Sequence, residues 1–144
     1  MDPVFISFAK CHSDTILRAK KYSKAVVEVT SFSWSNRRFF ESHIALLGFK
    51  TYVICLKEKG KDVVDGLEKL LSELNVKIFI SVDLGGDSLI FGDEPLLGSF
   101  ETDTLGLASL STISRDLGVK TYLAVGALGL EGGGKGHRSR VFGR

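Results

Sequence analysis

Cysteine is scarce in this chain, with only Cys11 and Cys55 among 144 residues. A disulfide scaffold needs more, and no two-cysteine, two-histidine zinc spacing occurs, so a reducing, cytoplasmic setting is expected. No apolar run approaches the roughly 18 residues that a membrane span requires. The N-terminus, "MDPVFISFAKCHSD", lacks the basic region, long apolar run and small-residue cleavage site of a signal peptide. An excess of one charge is also missing. The net charge of +2 is too small to argue for nucleic acid or an anionic membrane as partner. No Gly-x-Gly-x-x-Gly follows a strand, and no phosphate loop ending in Gly-Lys-Ser/Thr occurs, so neither a dehydrogenase nor a nucleoside-triphosphatase is supported. What remains, 44% hydrophobic and 25% charged residues, is the profile of a soluble globular protein of one domain.

Apolar, β-favouring runs alternate with amphipathic ones. "VFISF" (4–8), "AVVEVT" (25–30), "KTYVICL" (50–56), "KIFISVDL" (77–84) and "KTYLAVGAL" (120–128) read as five strands. Helices are expected between them. One starts at Ser13 or Asp14 in "SDTILRAKKYSK", and a second starts at Ser35 or Asn36 and stops at Gly48. The clearest is "KDVVDGLEKLLSELNV", where Val63, Val64, Leu67, Leu70, Leu71 and Leu74 share a face and Asn75 is the stop. A fourth runs from about Thr102 to Leu117, ended by Gly118. Strands that are apolar throughout, separated by helices, predict a doubly wound, Rossmann-like α/β fold over residues 1–130: a mostly parallel sheet of about five strands covered on both faces. Residues 131–144 form a glycine-rich basic tail without periodicity, expected to be disordered.

In such a sheet, ligands bind at the C-terminal ends of the strands, so all five post-strand loops are expected along one edge. The loop after the second strand carries Thr30, Ser31, Ser33, Ser35 and Asn36, then Arg37 and Arg38 in the first turn of the expected helix. Hydroxyls, free N–H groups, a helix dipole and two guanidinium groups would together hold an anion. The simpler and preferred reading is that Ser35 or Asn36 caps the helix, the other hydroxyls fill turns and the arginines are solvated.

The loop after the fourth strand, "VDLGGDSLIFGDEPLLGSFETD", concentrates Asp83, Asp87, Asp93, Glu94, Glu101 and Asp103 among glycines. A carboxylate at a strand end is costly to bury unless it is paired, hydrogen-bonded or on a metal. Gly85 and Gly86 permit a sharp turn and close approach to a ligand. Asp83 and Asp87, with Asp93 or Glu94, offer hard oxygen donors for Mg²⁺ or Ca²⁺ bridging to phosphate, or acceptors for ribose hydroxyls. The alternative is that Asp83 and Asp87 bond to local N–H groups as turn formers. Glu101 and Asp103 are better read as capping the next helix. Cys11 and His12, adjacent in sequence, seldom orient as nucleophile and base. Cys55 and a half-buried His43 belong to the core, and Trp34 is expected to cover one end of it.

"NRRFFESHIALLGFKTYVICL", "GLEKLL" and "VDLGGDSLIFGDEPLLGSFETDTLGLASL" resemble the prokaryotic family known as domain of unknown function 1152. Asp83, Gly85, Gly86, Asp87, Gly92, Asp93, Glu94, Leu97, Gly98, Ser99 and Asp103 match its pattern in order, within a likeness covering about residues 1–128. The resemblance implies an α/β protein of roughly twice this length, with no established reaction. Phe100 stands where the family has proline, a glycine-rich N-terminal strand-turn-helix is lacking, and the sequence after Leu130 departs from the pattern, so a truncated member is expected.

The function expected from these features is binding of a phosphorylated or nucleotide-like small molecule at the C-terminal edge of the sheet, with metal assistance, by an enzyme or enzyme remnant. The alternatives are a non-catalytic binding module and an assembly protein that forms a homodimer through an exposed sheet edge.

Overall fold

The computed structural model describes residues 2–36, 39–84, 108 and 111–126. The chain divides into two compact units, Met1–Asn75 and Val76–Arg144.

The first unit is built on a four-stranded sheet in the order β1-β4-β3-β2, from β1 (Val4–Ala9), β2 (Lys20–Lys21), β3 (Val26–Val29) and β4 (Lys50–Cys55). β1 runs parallel to β4, with Val4 opposite Lys50 and Ala9 opposite Cys55. β3 runs antiparallel to β4, and β2 antiparallel to β3. The sheet is therefore mixed and mostly antiparallel, which overturns the doubly wound parallel fold expected from the sequence.

The physical reason lies in what a continuous apolar run reports. Val26, Val27 and Val29 on β3 and residues 51–55 on β4 are all buried because both faces of the sheet are covered. α2 (Gly60–Glu73) packs on one face, where Gly66 abuts Val26 and Glu73 receives the Tyr22 hydroxyl. α1 (Glu41–Leu46) packs on the other, over a cluster of Ile16, Val27, Val29, Val53 and Cys55. Burial on two faces demands apolar residues at every position but does not set strand direction.

Direction was decided between Ser13 and Lys24, where the expected crossover helix does not form. Ser13–Thr15 make one 3₁₀ turn that ends in extended backbone at Ile16. Leu17 then pairs with Trp34, and Arg18 turns with φ 55°. Lys20 and Lys21 join Glu28 and Val27 as a hairpin. A helix here would have presented Ile16, Ala19, Lys20 and Ser23 on one face, a stripe with a single large apolar side chain. That stripe cannot compete with the ladder hydrogen bonds offered by the free edge of β3.

α1 is shorter than expected. It starts at Glu41 with Phe40 as N-cap and no side-chain cap, not at Ser35 or Asn36, and it stops at Gly48, whose φ of 95° suits glycine. α2 follows its heptad-like pattern, burying Val63, Gly66, Leu67, Leu70 and Leu71 and ending before Asn75 at φ 52°. Each fully buried leucine contributes about 1.5–3 kcal/mol.

In the second unit, β5 (Ile78–Leu84) and β6 (Lys120–Gly126) form a parallel pair in unbroken register from Ile78–Lys120 to Leu84–Gly126. Residues 111–117 are helical and Gly118 follows at φ 63°. Among the described residues, no helix is long and apolar enough to cross a membrane.

Candidate functional site

Asp83 stands opposite Val125, one residue before the last pair of the β5–β6 ladder. The strand end predicted for it is therefore where its backbone lies. Gly85, Gly86, Asp87, Asp93 and Glu94, with Glu101 and Asp103, lie outside the described residues, as does the 131–144 tail.

The hydroxyl-rich loop is turn chemistry in its first half. The Thr30 N–H donates to Ser33 Oγ at 2.9 Å and the Ser33 N–H returns a bond to the Thr30 carbonyl at 3.0 Å. Ser33 Oγ donates to the Arg18 carbonyl at 2.9 Å, and Thr30 Oγ1 reaches the same oxygen at 3.3 Å. These hydroxyls fasten the loop to the segment that replaced the expected helix. Ser35 is buried and Asn36 exposed, while Arg37 and Arg38 lie outside the described residues. With α1 beginning at Glu41, neither Ser35 nor Asn36 caps it. Antiparallel β3 also sends this loop to the end of the sheet where β1 and β4 begin, away from the loops after β1 and β4. The expectation of one common edge fails there. At that end Thr30, Ser31, Glu28, Phe49 and Lys50 border an open cleft of about 850 Å³.

The C-terminal ends of β1 and β4 gather a second group, which sequence reading did not assemble. Because these strands are parallel and in register, Cys11 follows Ala9 just beyond the position opposite Cys55. The Cys11 and Lys57 segments are tied together by backbone bonds: Cys11 N–H to the Ala9 carbonyl at 2.9 Å, Leu56 N–H to the same carbonyl at 2.9 Å, and Lys57 N–H to the Cys11 carbonyl at 3.2 Å. The two Sγ atoms are 3.0 Å apart, with Cys11 partly exposed, Cys55 fully buried and neither in a disulfide. The contact with Cys11 and burial push the Cys55 thiol well above its ordinary range.

Glu58 organises the same edge. Its Oε1 accepts the Ser13 N–H at 2.9 Å and Oγ at 3.3 Å, and lies 3.5 Å from His12 Nδ1. The Ser13 N–H holds this carboxyl below the usual range; burial works against that and His12 reinforces it. The one signal for this cluster was the position of each cysteine at a strand end, which becomes informative only when the strands are known to be parallel neighbours. His43, expected to be half-buried, is exposed, and Trp34 is 57% exposed, so neither serves the core as predicted. Among the described residues, no group of three or more His, Cys, Asp or Glu side chains is arranged to hold a metal ion.

Mixed four-stranded sheet, separate parallel pair and covering helices define an α/β protein with two distinct strand-end edges. The chain belongs to the family described as Protein of unknown function (DUF1152), which matches residues 9–134. No curated protein and no solved structure gives a significant match.

Proposed function

We propose that the chain binds a phosphorylated or nucleotide-like small molecule at the C-terminal edge of β5 and β6, with Mg²⁺ or Ca²⁺ held by Asp83 and Asp87 and assisted by Asp93 or Glu94. The observation that carries this reading is the in-register parallel pairing of β5 with β6, which ends both strands level, with Asp83 one residue inside the edge. The carboxyl ends of parallel strands are where open α/β sheets take ligands. Carboxylate oxygens suit these hard cations, which bridge to phosphate and act as Lewis acid or template. The hydroxyl loop is left out of this reading, because Thr30 and Ser33 are committed to the Arg18 carbonyl.

A thermal-shift screen with Mg²⁺, Mn²⁺ and Ca²⁺, each alone and with nucleotides and sugar phosphates, tests it. Ligand at about 100 times Kd adds roughly 2.7 kcal/mol, so a shift requiring both metal and phosphate supports the site. Asp87→Ala should abolish that shift with little change in Tm. A large loss of stability with ligand binding intact would sink the proposal. Turnover of phosphoesters or nucleosides would mark an enzyme, and saturable binding without turnover a binding module.

A second reading, self-association, is favoured by one face of β5–β6, where Ile78, Ile80, Val82 and Tyr122 are all more than half exposed. An apolar strip of this kind favours a second copy of the chain as partner. Light scattering that reports a monomer throughout the micromolar range would exclude it, and Ile80→Glu should dissociate any dimer that forms.

A further inference from the structure

We propose that Cys11 and Cys55 form a redox modification site, a dithiol that peroxides convert to an intramolecular disulfide, with Cys11 as the attacking thiol and Cys55 as the resolving one. Two thiols 3.0 Å apart at the ends of neighbouring parallel strands need to close by about 1 Å to reach disulfide bonding distance. Their approach is not left to side-chain chance. The Ala9 carbonyl takes the N–H groups of both Cys11 and Leu56, and the Cys11 carbonyl takes that of Lys57, so the two cysteine segments are laced together at the backbone.

The division of roles follows from access. Cys11 is partly exposed and Cys55 is fully buried, so a peroxide arriving from solvent meets Cys11 first. The contact with Cys11, reinforced by burial, raises the Cys55 thiol and favours its protonated form, which suits a group that acts only once its neighbour has been oxidised. In the first step, Cys11 Sγ, its thiol proton released, attacks one peroxide oxygen. The O–O bond breaks, water or an alcohol leaves after taking a proton, and Cys11 becomes a sulfenic acid. In the second step, Cys55 Sγ attacks Cys11 Sγ, the S–O bond breaks, and hydroxide leaves with the Cys55 proton as water. Two electrons pass from the two thiols to the peroxide, and a disulfide remains. An external thiol of the cytosolic kind returns the pair to the reduced state by exchange.

The test uses the full reduced chain and hydrogen peroxide at equimolar concentration, followed by thiol alkylation, intact mass and non-reducing peptide mapping. The expected result is a loss of two hydrogens, no alkylation at either cysteine, a Cys11–Cys55 cross-linked peptide and full reversal by dithiothreitol. In Cys55→Ala, a sulfenic acid at Cys11 should be trapped when dimedone is present, and should over-oxidise with further peroxide when it is absent. In Cys11→Ala, Cys55 should remain a thiol. Should the core substitution at Cys55 prevent folding, the wild-type chain alone decides: cross-linking should be roughly tenfold or more faster in the native state than in urea, where the thiols meet only by diffusion. Equal rates in the two states, over-oxidation of Cys11 in place of the cross-link, or disulfides only between chains would overturn the proposal.

Discussion

The Ser7 hydroxyl on β1 donates to Glu41 Oε1 at 2.7 Å, linking an edge strand to the first turn of α1 across 34 residues of sequence. Glu41 is 5% exposed, and its second oxygen has no hydrogen-bond partner among the described residues. A buried carboxylate with one firm donor is sensitive to losing it. Ser7→Ala should therefore cost about 1.5–3 kcal/mol, the range for hydrogen bonds to charged groups, read as a lower urea midpoint at unchanged slope. A midpoint equal to that of the parent would show that Glu41 is solvated.

Gly66 sits mid-helix in α2, where propensity alone would favour alanine by about 1 kcal/mol. A Cβ there would meet Ser23 Oγ at 2.7 Å and Val26 Cγ2 at 2.8 Å. Val26 is fully buried in β3 and cannot swing aside. Overpacking of this kind outweighs the gain in propensity, so Gly66→Ala should destabilise by about 1–2 kcal/mol. A Tm above that of the parent would mean that the hairpin end carrying Ser23 yields.

The loop after β3 distinguishes turn chemistry from a site by a pair of substitutions. Ser33 is buried and serves both the Thr30 N–H and the Arg18 carbonyl, so Ser33→Ala should cost about 1–3 kcal/mol in chemical denaturation. Ser31 is exposed, and Ser31→Ala should change stability by less than about 0.5 kcal/mol. Equal effects would remove the case for the Arg18 anchor.

Glu58 and Tyr22 make stability depend on pH in opposite directions. The folded Glu58 carboxyl lies below its ordinary 4.5, so as pH falls through 4.5 the unfolded chain takes up a proton first. Its contribution, complete above 4.5, is lost as pH falls through the folded value, and Glu58→Gln should flatten the acid limb of a Tm–pH profile. Tyr22 is raised above its ordinary 10.0, chiefly by burial and then by its bond to Glu73. There the unfolded chain releases its proton first, so the contribution is complete below pH 10.0 and lost as pH rises above it. Tyr22→Phe should flatten the alkaline limb. Parallel profiles for parent and variant at either limb would reject the corresponding assignment.

Much of the local structure was legible in the chain. Runs such as "KTYVICL" and "KIFISVDL" became strands, "KDVVDGLEKLL" became the long helix, and Gly48, Asn75 and Gly118 ended helices with positive φ. These features depend on neighbours within a few residues, where apolar spacing and backbone freedom act directly. The segment from Ser13 to Lys24 was misread because its weak helical stripe lost to pairing with β3, and nothing nearby in sequence announces that competitor. The thiol pair was invisible for the same reason. Cys11 and Cys55 are 44 residues apart, and only a parallel register of β1 with β4 brings them together.

The sequence by itself determined where the strands and the long helix would form, because apolar spacing and backbone freedom act within a few residues. The tertiary structure decided strand direction, since two covered faces ask for the same residues whichever way a strand runs. From direction followed everything about location. Antiparallel β3 carried the hydroxyl loop away from the ends of β1 and β4, and parallel β1 and β4 brought two cysteines and Glu58 to one edge.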